Sequence, residues 1–333
     1  MRKQTAVVHS IRCCGVTASL VGAAAVLGLS TALAQYPDRP IRGIVPFAPG
    51  GANDVMARVM SPQINKLLGQ PVIIDNRPGA LGHIGIEATA KSKPDGYTIL
   101  FSATASTVLP AMSKTMRYDP IKDIQPVAEI GQGPYVVVVN PKVPATNLRE
   151  LIEYARKNPG KLNGGAGGAA GTRLAIELMK IQNNIQLEII MYNGNGPTAT
   201  ALLKGEVDFA TMDTSAFVGY LASGRIKAFA VAGEKRLPSL PDVPTTAEAG
   251  YPDFRAGAIF GVYVAAGTPA PIVQKLNETI NAIIVIPEIV EQLRKLGSEP
   301  SPKSVEVFTQ LIRREIQTWK DVVAKAKIPL DDP

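Results

Sequence analysis

The chain has 333 residues, enough for two domains or one large one, and 46% of them are hydrophobic, which supports a sizeable core. Aromatics make up only 5%, which excludes an aromatic platform for single-stranded nucleic acid. The 35 basic and 28 acidic residues form no basic stripe and no run of like charges, so the formal net charge of +7 carries no nucleic-acid footprint.

Residues 1–34 read as an export signal. Arg2, Lys3 and Arg12 give a positive start, residues 13–30 are apolar and uncharged, and Ala32-Leu33-Ala34 fits a small-x-small cleavage site before Gln35. The rival reading is an uncleaved anchor helix, because the apolar run is nearly long enough to span a bilayer. Both cysteines, Cys13 and Cys14, fall in this segment, so the chain from Gln35 has no disulfide, no thiolate metal site and no cysteine nucleophile. From Gln35 onward 32 basic and 28 acidic residues leave a net charge of +4, a mild bias that suits anionic ligands.

The next stretch, residues 41–60, organises the rest. Ile44 and Val45 suggest a buried strand, followed by Phe47, Pro49 and the glycine turn Gly50-Gly51, then a helix with Asn53 or Asp54 placed to cap it. A helix start offers unpaired N–H groups and a positive dipole end, and glycines let an anion approach them. No lysine sits in the turn, so it is not a nucleotide-binding P-loop. On its own the stretch reads either as a cradle for a small anion, most simply a carboxylate, or as an ordinary strand-to-helix turn.

Further along, residues 72–74 read as a strand, 75–82 as a loop and 84–91 as a helix; Pro94-Asp95-Gly96 is a turn. Residues 97–101 read as a strand ending in a polar loop that begins at Ser102 and includes Thr104. Residues 136–139 are a fully apolar strand, and 147–156 a capped helix. A glycine-rich run then leads through Gly171, Thr172 and Arg173 into an apolar helix over 174–181. Within it, Gly165-Ala166-Gly167-Gly168-Ala169-Ala170 matches a loose dinucleotide pattern, but no acidic residue closes a strand some twenty residues on.

Residues 189–205 repeat the opening logic: a strand, Tyr192, the turn Asn193-Gly194-Asn195-Gly196, then a helix. Laid over residues 44–60 without gaps, Tyr192 meets Phe47 and Gly196 meets Gly51. Residues 207–212 form a strand ending in Asp213 and Thr214. Strands over 226–232 and 261–265, a proline-rich loop between them, and helices over 271–284, 287–296 and 305–326 complete the pattern. The alternation argues an α/β fold with mostly parallel sheets. Two domains are expected, 35–139 plus 260–333 and 140–259.

Catalytic equipment is sparse. One histidine, His83, follows Gln35, in a glycine-rich loop where a packing or surface role is the expectation. No serine elbow, zinc-protease helix, CxxC pair or EF-hand loop occurs. An exported two-domain chain with glycine-rich polar loops at strand ends reads as a solute-binding protein that closes by a hinge.

The ordered motifs add a resemblance. They are Tyr36-Pro37-Asp38-Arg39-Pro40-Ile41, Val45-Pro46-Phe47 with Pro49-Gly50-Gly51 and Asp54, Asn76-Arg77-Pro78-Gly79-Ala80, and Pro94-Asp95-Gly96-Tyr97-Thr98. Gly205-Glu206-Val207-Asp208, Leu240-Pro241-Asp242-Val243-Pro244-Thr245, Glu248-Ala249-Gly250 and Ala266-Gly267-Thr268-Pro269 follow. Together they resemble the Bug (Bordetella uptake gene) family, the TctC-like receptors of tripartite tricarboxylate transporters. The resemblance implies a two-domain periplasmic-binding-protein (Venus-flytrap, type II-like) fold, usually monomeric, without cofactor or catalysis. It implies a small organic carboxylate gripped by the Phe47–Asp54 and Tyr192–Gly196 turns, and delivery to membrane permease subunits. The ligand's far end would meet Ser102, Thr104, Gly171, Thr172, Arg173, Asp213 and Thr214. Arg173 stands where the family commonly has histidine; either its forked guanidinium meets a second carboxylate, and hence a dicarboxylic acid, or it is an exposed arginine on a helix face. The family's frequent tryptophan near Ile259-Phe260 is missing. The same fold serving a membrane sensor kinase is the alternative role.

Overall fold

The structure, a computed structural model, describes residues 36–330 except 51, 104, 168, 169, 193, 194, 215, 216 and 222. The expected export signal therefore lies outside the described residues, as do Gly51, Thr104, Asn193 and Gly194. No helix among the described residues is long and apolar enough to cross a membrane.

The chain builds two mixed sheets. The six-stranded sheet contains β1 (Ile41–Val45), β2 (Val72–Asn76), β3 (Thr98–Ser102), β4 (Ile124–Pro134), β10 (Gly257–Ala265) and β11 (Glu299–Pro300), in the order β11-β4-β10-β3-β1-β2. The five-stranded sheet contains β5 (Val136–Val139), β6 (Asn163–Gly167), β7 (Glu188–Tyr192), β8 (Phe209–Met212) and β9 (Lys227–Val231), in the order β7-β6-β8-β5-β9. Each has a parallel trio, with β1 between β2 and β3, and β6 between β7 and β8. In each an antiparallel strand flanks that trio: β10 against β3, β5 against β8.

Helices cover the faces. They are α1 (Ala52–Leu68), α2 (His83–Ala90), α3 (Ala105–Met112), α4 (Leu148–Lys157), α5 (Ala170–Asn183), α6 (Asn195–Lys204), α7 (Val218–Leu221), α8 (Ala270–Ile283), α9 (Pro287–Lys295) and α10 (Val305–Ala326). The start of α4 follows its sequence signal: Asn147 Oδ1 accepts from the Glu150 N–H at 3.0 Å, and Glu150 accepts from the Thr146 N–H at 2.7 Å, a reciprocal cap.

Successive side chains of a strand face opposite sides, which divides the core by residue parity. Val136 and Val138 pack with Ala210, Met212 and Leu202, whereas Val137 and Val139 pack with Phe209 and the helices on the other face. Ile41, Val45, Ile99 and Phe101 face α1 and α8, while Ile44 and Leu100 face Phe308, Ile312 and Ile316 of α10. Farther along α10, Trp319, Val322 and Val323 enter the core of the other sheet, so this one helix belongs to both lobes.

The chain changes sheets at Tyr135 and returns through Ala256. Val136–Val139, placed by sequence with the first unit, pairs with β8 and β9 in the second sheet, and β10 begins at Gly257. The two crossings are laced together: Tyr135 N–H donates to Ala256 O at 2.9 Å, Ala232 N–H to Tyr135 O at 2.8 Å and Ala256 N–H to Ala232 O at 3.0 Å.

Two elements differ from their sequence reading. The stretch after Ser102 is not a loop throughout, since α3 begins at Ala105 and accommodates Pro110. The glycine run over 163–167 is strand β6, the middle of the parallel trio, not only a cushion before a helix. The topology also corrects the internal repeat. The counterpart of β1, flanked by two parallel neighbours, is β6 and not β7. The Phe47 turn therefore corresponds in position to the stretch that follows Gly167, and the stretch that follows Tyr192 to the one after Asn76.

Candidate functional site

In open α/β sheets ligands bind beyond the carboxyl ends of parallel strands. The residues singled out by sequence lie there: the Phe47 turn after β1, Ser102 at the end of β3, Gly171, Thr172 and Arg173 after β6, Tyr192 and Asn195 after β7, and Asp213 and Thr214 after β8.

The first lobe offers a pre-tied turn. Pro46 is buried, Phe47 partly exposed, and Ala48, Pro49 and Gly50 exposed. Gly50 has φ +86°, a left-handed conformation that a Cβ would strain. α1 begins at Ala52, so neither Asn53 nor Asp54 precedes it as a cap. Asp54, 2% exposed, turns back from the first helical turn to accept the Gly50 N–H at 2.9 Å. Its carboxylate also accepts Arg58 Nε at 3.0 and 3.1 Å and Asn76 Nδ2 at 2.9 Å, while the same amide donates to Phe47 O at 3.1 Å. Arg58 Nη2 closes the ring on Asn76 Oδ1 at 3.2 Å. These donors, Arg58 first, hold the Asp54 carboxyl down at about 2. Asp54 is thus committed to shaping the turn. Asn76 and Arg58, which sequence reading did not assign to the site, complete the tie; the Asn76-Arg77-Pro78-Gly79 motif was the only signal for Asn76, and none marked Arg58.

The second lobe builds its edge from small and hydroxyl residues. The Thr172 hydroxyl, buried, accepts the Gly167 N–H at 3.1 Å and lies 3.2 Å from Gly167 O. Thr211 Oγ1 donates to Thr172 O at 2.9 Å, tying the first turn of α5 to β8. Gly167 permits the start of α6 to sit on the end of β6: a Cβ there would lie 2.6 Å from Asn195 Oδ1, 2.7 Å from Thr198 Oγ1 and 2.8 Å from the Asn195 nitrogen. Asn195 Nδ2 in turn donates to Asp213 Oδ2 at 2.5 Å. Burial pushes the Asp213 carboxyl above its ordinary range.

The remaining residues fall around these two groups. Tyr192 is partly buried at the end of β7 and Gly196 is exposed in the first turn of α6. Gly171 is buried beside Thr172. Arg173 is partly buried, and among the described residues its guanidinium makes no hydrogen bond or ion pair. Ser102 is 2% exposed, its hydroxyl without a partner among the described residues. Thr214 Oγ1 lies 3.5 Å from where a Cβ on Gly297 would stand, so the loop after β8 rests on the turn between α9 and β11 of the opposite lobe. The one histidine among the described residues stands apart: the His83 ring is buried, bonded to Ser113 Oγ at 2.8 Å, with Tyr118 Oη 3.4 Å from Nδ1. Desolvation lowers its pKa. Among the described residues no group of three or more His, Cys, Asp or Glu is arranged to hold a metal ion.

Residues 56–328 match the model of the tripartite tricarboxylate transporter family receptor. Protein BugT of Bordetella pertussis is 37% identical over 313 residues, covering 93% of this chain and 94% of BugT. Among solved structures, Rpa4515 of R. palustris with adipate is 32% identical at TM-score 0.71, covering 89% of this chain and all of that one. MatC from Rhodopseudomonas palustris with bound malate is 32% identical at TM-score 0.67, covering 86% of this chain and all of that one. Two mixed α/β sheets joined by paired crossings, a tied glycine turn at one strand end and a matching polar edge opposite are the periplasmic-binding-protein fold, and the chain belongs to the TctC (Bug) family of tripartite tricarboxylate transporter receptors.

Proposed function

We propose that the protein is a periplasmic receptor that captures a small organic carboxylate between its two lobes and delivers it to the permease of a tripartite tricarboxylate transporter. The observation that carries this reading is the Asp54-tied turn at the end of β1. There a 17-residue helix presents its N-terminus beside Gly50 and Phe47, with the turn locked before any ligand arrives. A locked turn binds more tightly than a loose one because ordering cost is already met. Solved relatives with adipate and malate support a carboxylate as the ligand class. Arg173, partly buried and without a counter-charge among the described residues, favours a second acid group. In this reading the lobe of the six-stranded sheet and the lobe of the five-stranded sheet, divided at Tyr135 and Ala256, are the two closing domains, and the receptor works as a monomer without catalysis.

A thermal-shift screen of the chain from Gln35 against mono-, di- and tricarboxylates tests the reading. A ligand at about a hundred times its dissociation constant adds about 2.7 kcal/mol, a rise of a few degrees at this size. A hit is expected among the acids, and Arg173→Ala is expected to weaken diacids more than monoacids. A folded protein that neither shifts with any acid nor releases one on denaturation, by mass spectrometry, overturns the reading. Uptake of the bound acid by permease-containing vesicles, with and without the receptor, tests delivery.

A further inference from the structure

A second recess lies at the pole of the first lobe opposite the cleft. β10 runs antiparallel to β3, so Gly261 pairs with Ser102 at the cleft end, while Val264 pairs with Ile99 at the far end and Ala265 there meets Ile124 of β4. The strand from Gly261 to Ala266 sets the two poles about 17 Å apart. At the far pole the loop before β4 stands off α10 and leaves a cavity of about 240 Å³, walled by Pro120, Ile121, Ile124, Ala266, Ile312 and Ile316. Its inner end narrows between Pro126 and Tyr263. Its mouth opens beside Arg117, Arg313 and Lys320, and there Ile121 is 43% exposed.

The loop is tied before anything binds, and the tie consumes its acids. Asp119 Oδ1 accepts the Ile121 and Lys122 N–H groups at 2.9 and 3.1 Å, and Oδ2 lies 3.5 Å from Lys122 Nζ. Asp123 Oδ2 accepts the Asp119 N–H at 2.7 Å, and Asp123 O accepts the Ala266 N–H at 3.0 Å. Glu87, which the Arg117 charge reaches, is already bonded to Lys91 at 2.6 Å. Among the described residues Arg117, Arg313 and Lys320 make no hydrogen bond or ion pair. Apolar walls favour alkyl surface over water, and unpaired cations at the mouth favour an anion there. A short hydrophilic acid leaves the walls wet, and a neutral chain leaves the cations unmatched. A chain with one anionic end satisfies both.

We propose that this recess is a second binding site, for a single-chain anionic amphiphile of the medium-chain fatty-acid type. The alkyl chain lies between the loop and α10, and the carboxylate meets Arg313 and Lys320. The site is separate from the cleft and stands or falls independently of the receptor reading.

Calorimetric titration of hexanoate, octanoate, decanoate and decanol, all below micelle formation, into the chain from Gln35 tests it. Affinity is expected to rise about tenfold for each two carbons added, and decanoate to bind at least about tenfold more tightly than decanol. Arg313→Glu combined with Lys320→Glu changes only exposed positions; it is expected to weaken decanoate at least about tenfold and to keep the melting temperature and the thermal shift given by small acids. Ala266→Phe fills the recess and is expected to abolish the dependence on chain length; if it does not fold, the charge variant decides alone. Decanoate no tighter than hexanoate overturns the site, as does decanol matching decanoate. Decanoate binding that survives the variants places the chain elsewhere and overturns it too, and each of these results leaves the cleft reading untouched.

Discussion

Asp54 spends both carboxylate oxygens inside the protein, on Gly50, Arg58 and Asn76. Asp54→Asn exchanges two acceptor oxygens for one and breaks the tie to Gly50 or Arg58. It should cost about 1–3 kcal/mol of stability, read by urea unfolding, and weaken acid binding as the turn loosens. The carboxyl is held at about 2 against an ordinary 3.8, so the folded state binds its proton less readily than the unfolded state. Its stabilisation is present above pH 4 and lost as pH falls towards 2; the Asn variant should lack that part of the acid limb. Glu315 has the opposite sign. Burial, partly relieved by the Trp319 indole N–H at 3.0 Å and by Arg314, and reinforced by the Glu129 charge, raises its carboxyl to about 7. A raised carboxyl stabilises the fold fully below pH 4.5 and loses that contribution as pH climbs through 7. Between pH 5 and 8 the melting temperature of the wild type should fall by a few degrees relative to Glu315→Gln; calorimetric curves that stay parallel would refute the assignment. At this scale the sequence showed which residues cluster at strand ends but not their duties. Asp54 looked like a cap or a ligand contact, and nothing local revealed that Asn76, 22 residues away, would bind it.

Elements were legible where side chains carry a period. α10 spans Val305–Ala326 as its amphipathic pattern indicates, with the Ser304 hydroxyl accepting the Val307 N–H at its start. β6 was opaque because Asn163-Gly164-Gly165-Ala166-Gly167 has almost no side chain from which to read alternation. It is a strand because its neighbours need the room: a Cβ on Gly164 would lie 2.9 Å from the Phe209 ring, and one on Gly165 2.9 Å from Thr198 Cγ2. The long β4, interrupted by Pro126, Gly131 and Gly133, hid for a similar reason, and α3 behind Pro110. Which strand is central is a property of pairing, so local likeness between residues 44–60 and 189–205 pointed to the wrong partner. Gly167→Ala should destabilise by about 1–3 kcal/mol and displace the start of α6, because the intruded atoms include backbone. Binding should suffer beyond what the change in melting temperature accounts for. Calorimetric titration alongside thermal unfolding checks this, and unchanged affinity would show that the end of β6 is not part of the site.

The whole molecule is two sheets hung from one side. The crossings at Tyr135 and Ala256 are bonded to each other, and α10 is embedded in both cores beside them, while β2 and β7 are the edges farthest from these junctions. A two-domain solute-binding reading was available from the strand–helix alternation; the shared helix was not, since an amphipathic pattern does not say that its two ends serve different sheets. The chain from Gln35 has no cysteine, so labels can be placed singly. Ile73→Cys on β2 and Ile190→Cys on β7, both at exposed positions, should report a ligand-dependent shortening by pulsed spin-label distance measurement. A pair at Glu234 and Leu311, which line the same cavity beside the crossings, should stay fixed. Equal change in both pairs would rule out a fixed axis.

If the lobes close as proposed, a helix rooted in both cores would serve as the fulcrum of a lever. Travel would then grow strand by strand, from least at β4 and β5 to most at β2 and β7. The outlines of a loaded and an empty molecule would differ chiefly along that distant rim. A membrane partner that had to accept one and refuse the other would gain the sharpest contrast by resting on both rim strands together, where a small rotation becomes a large mismatch.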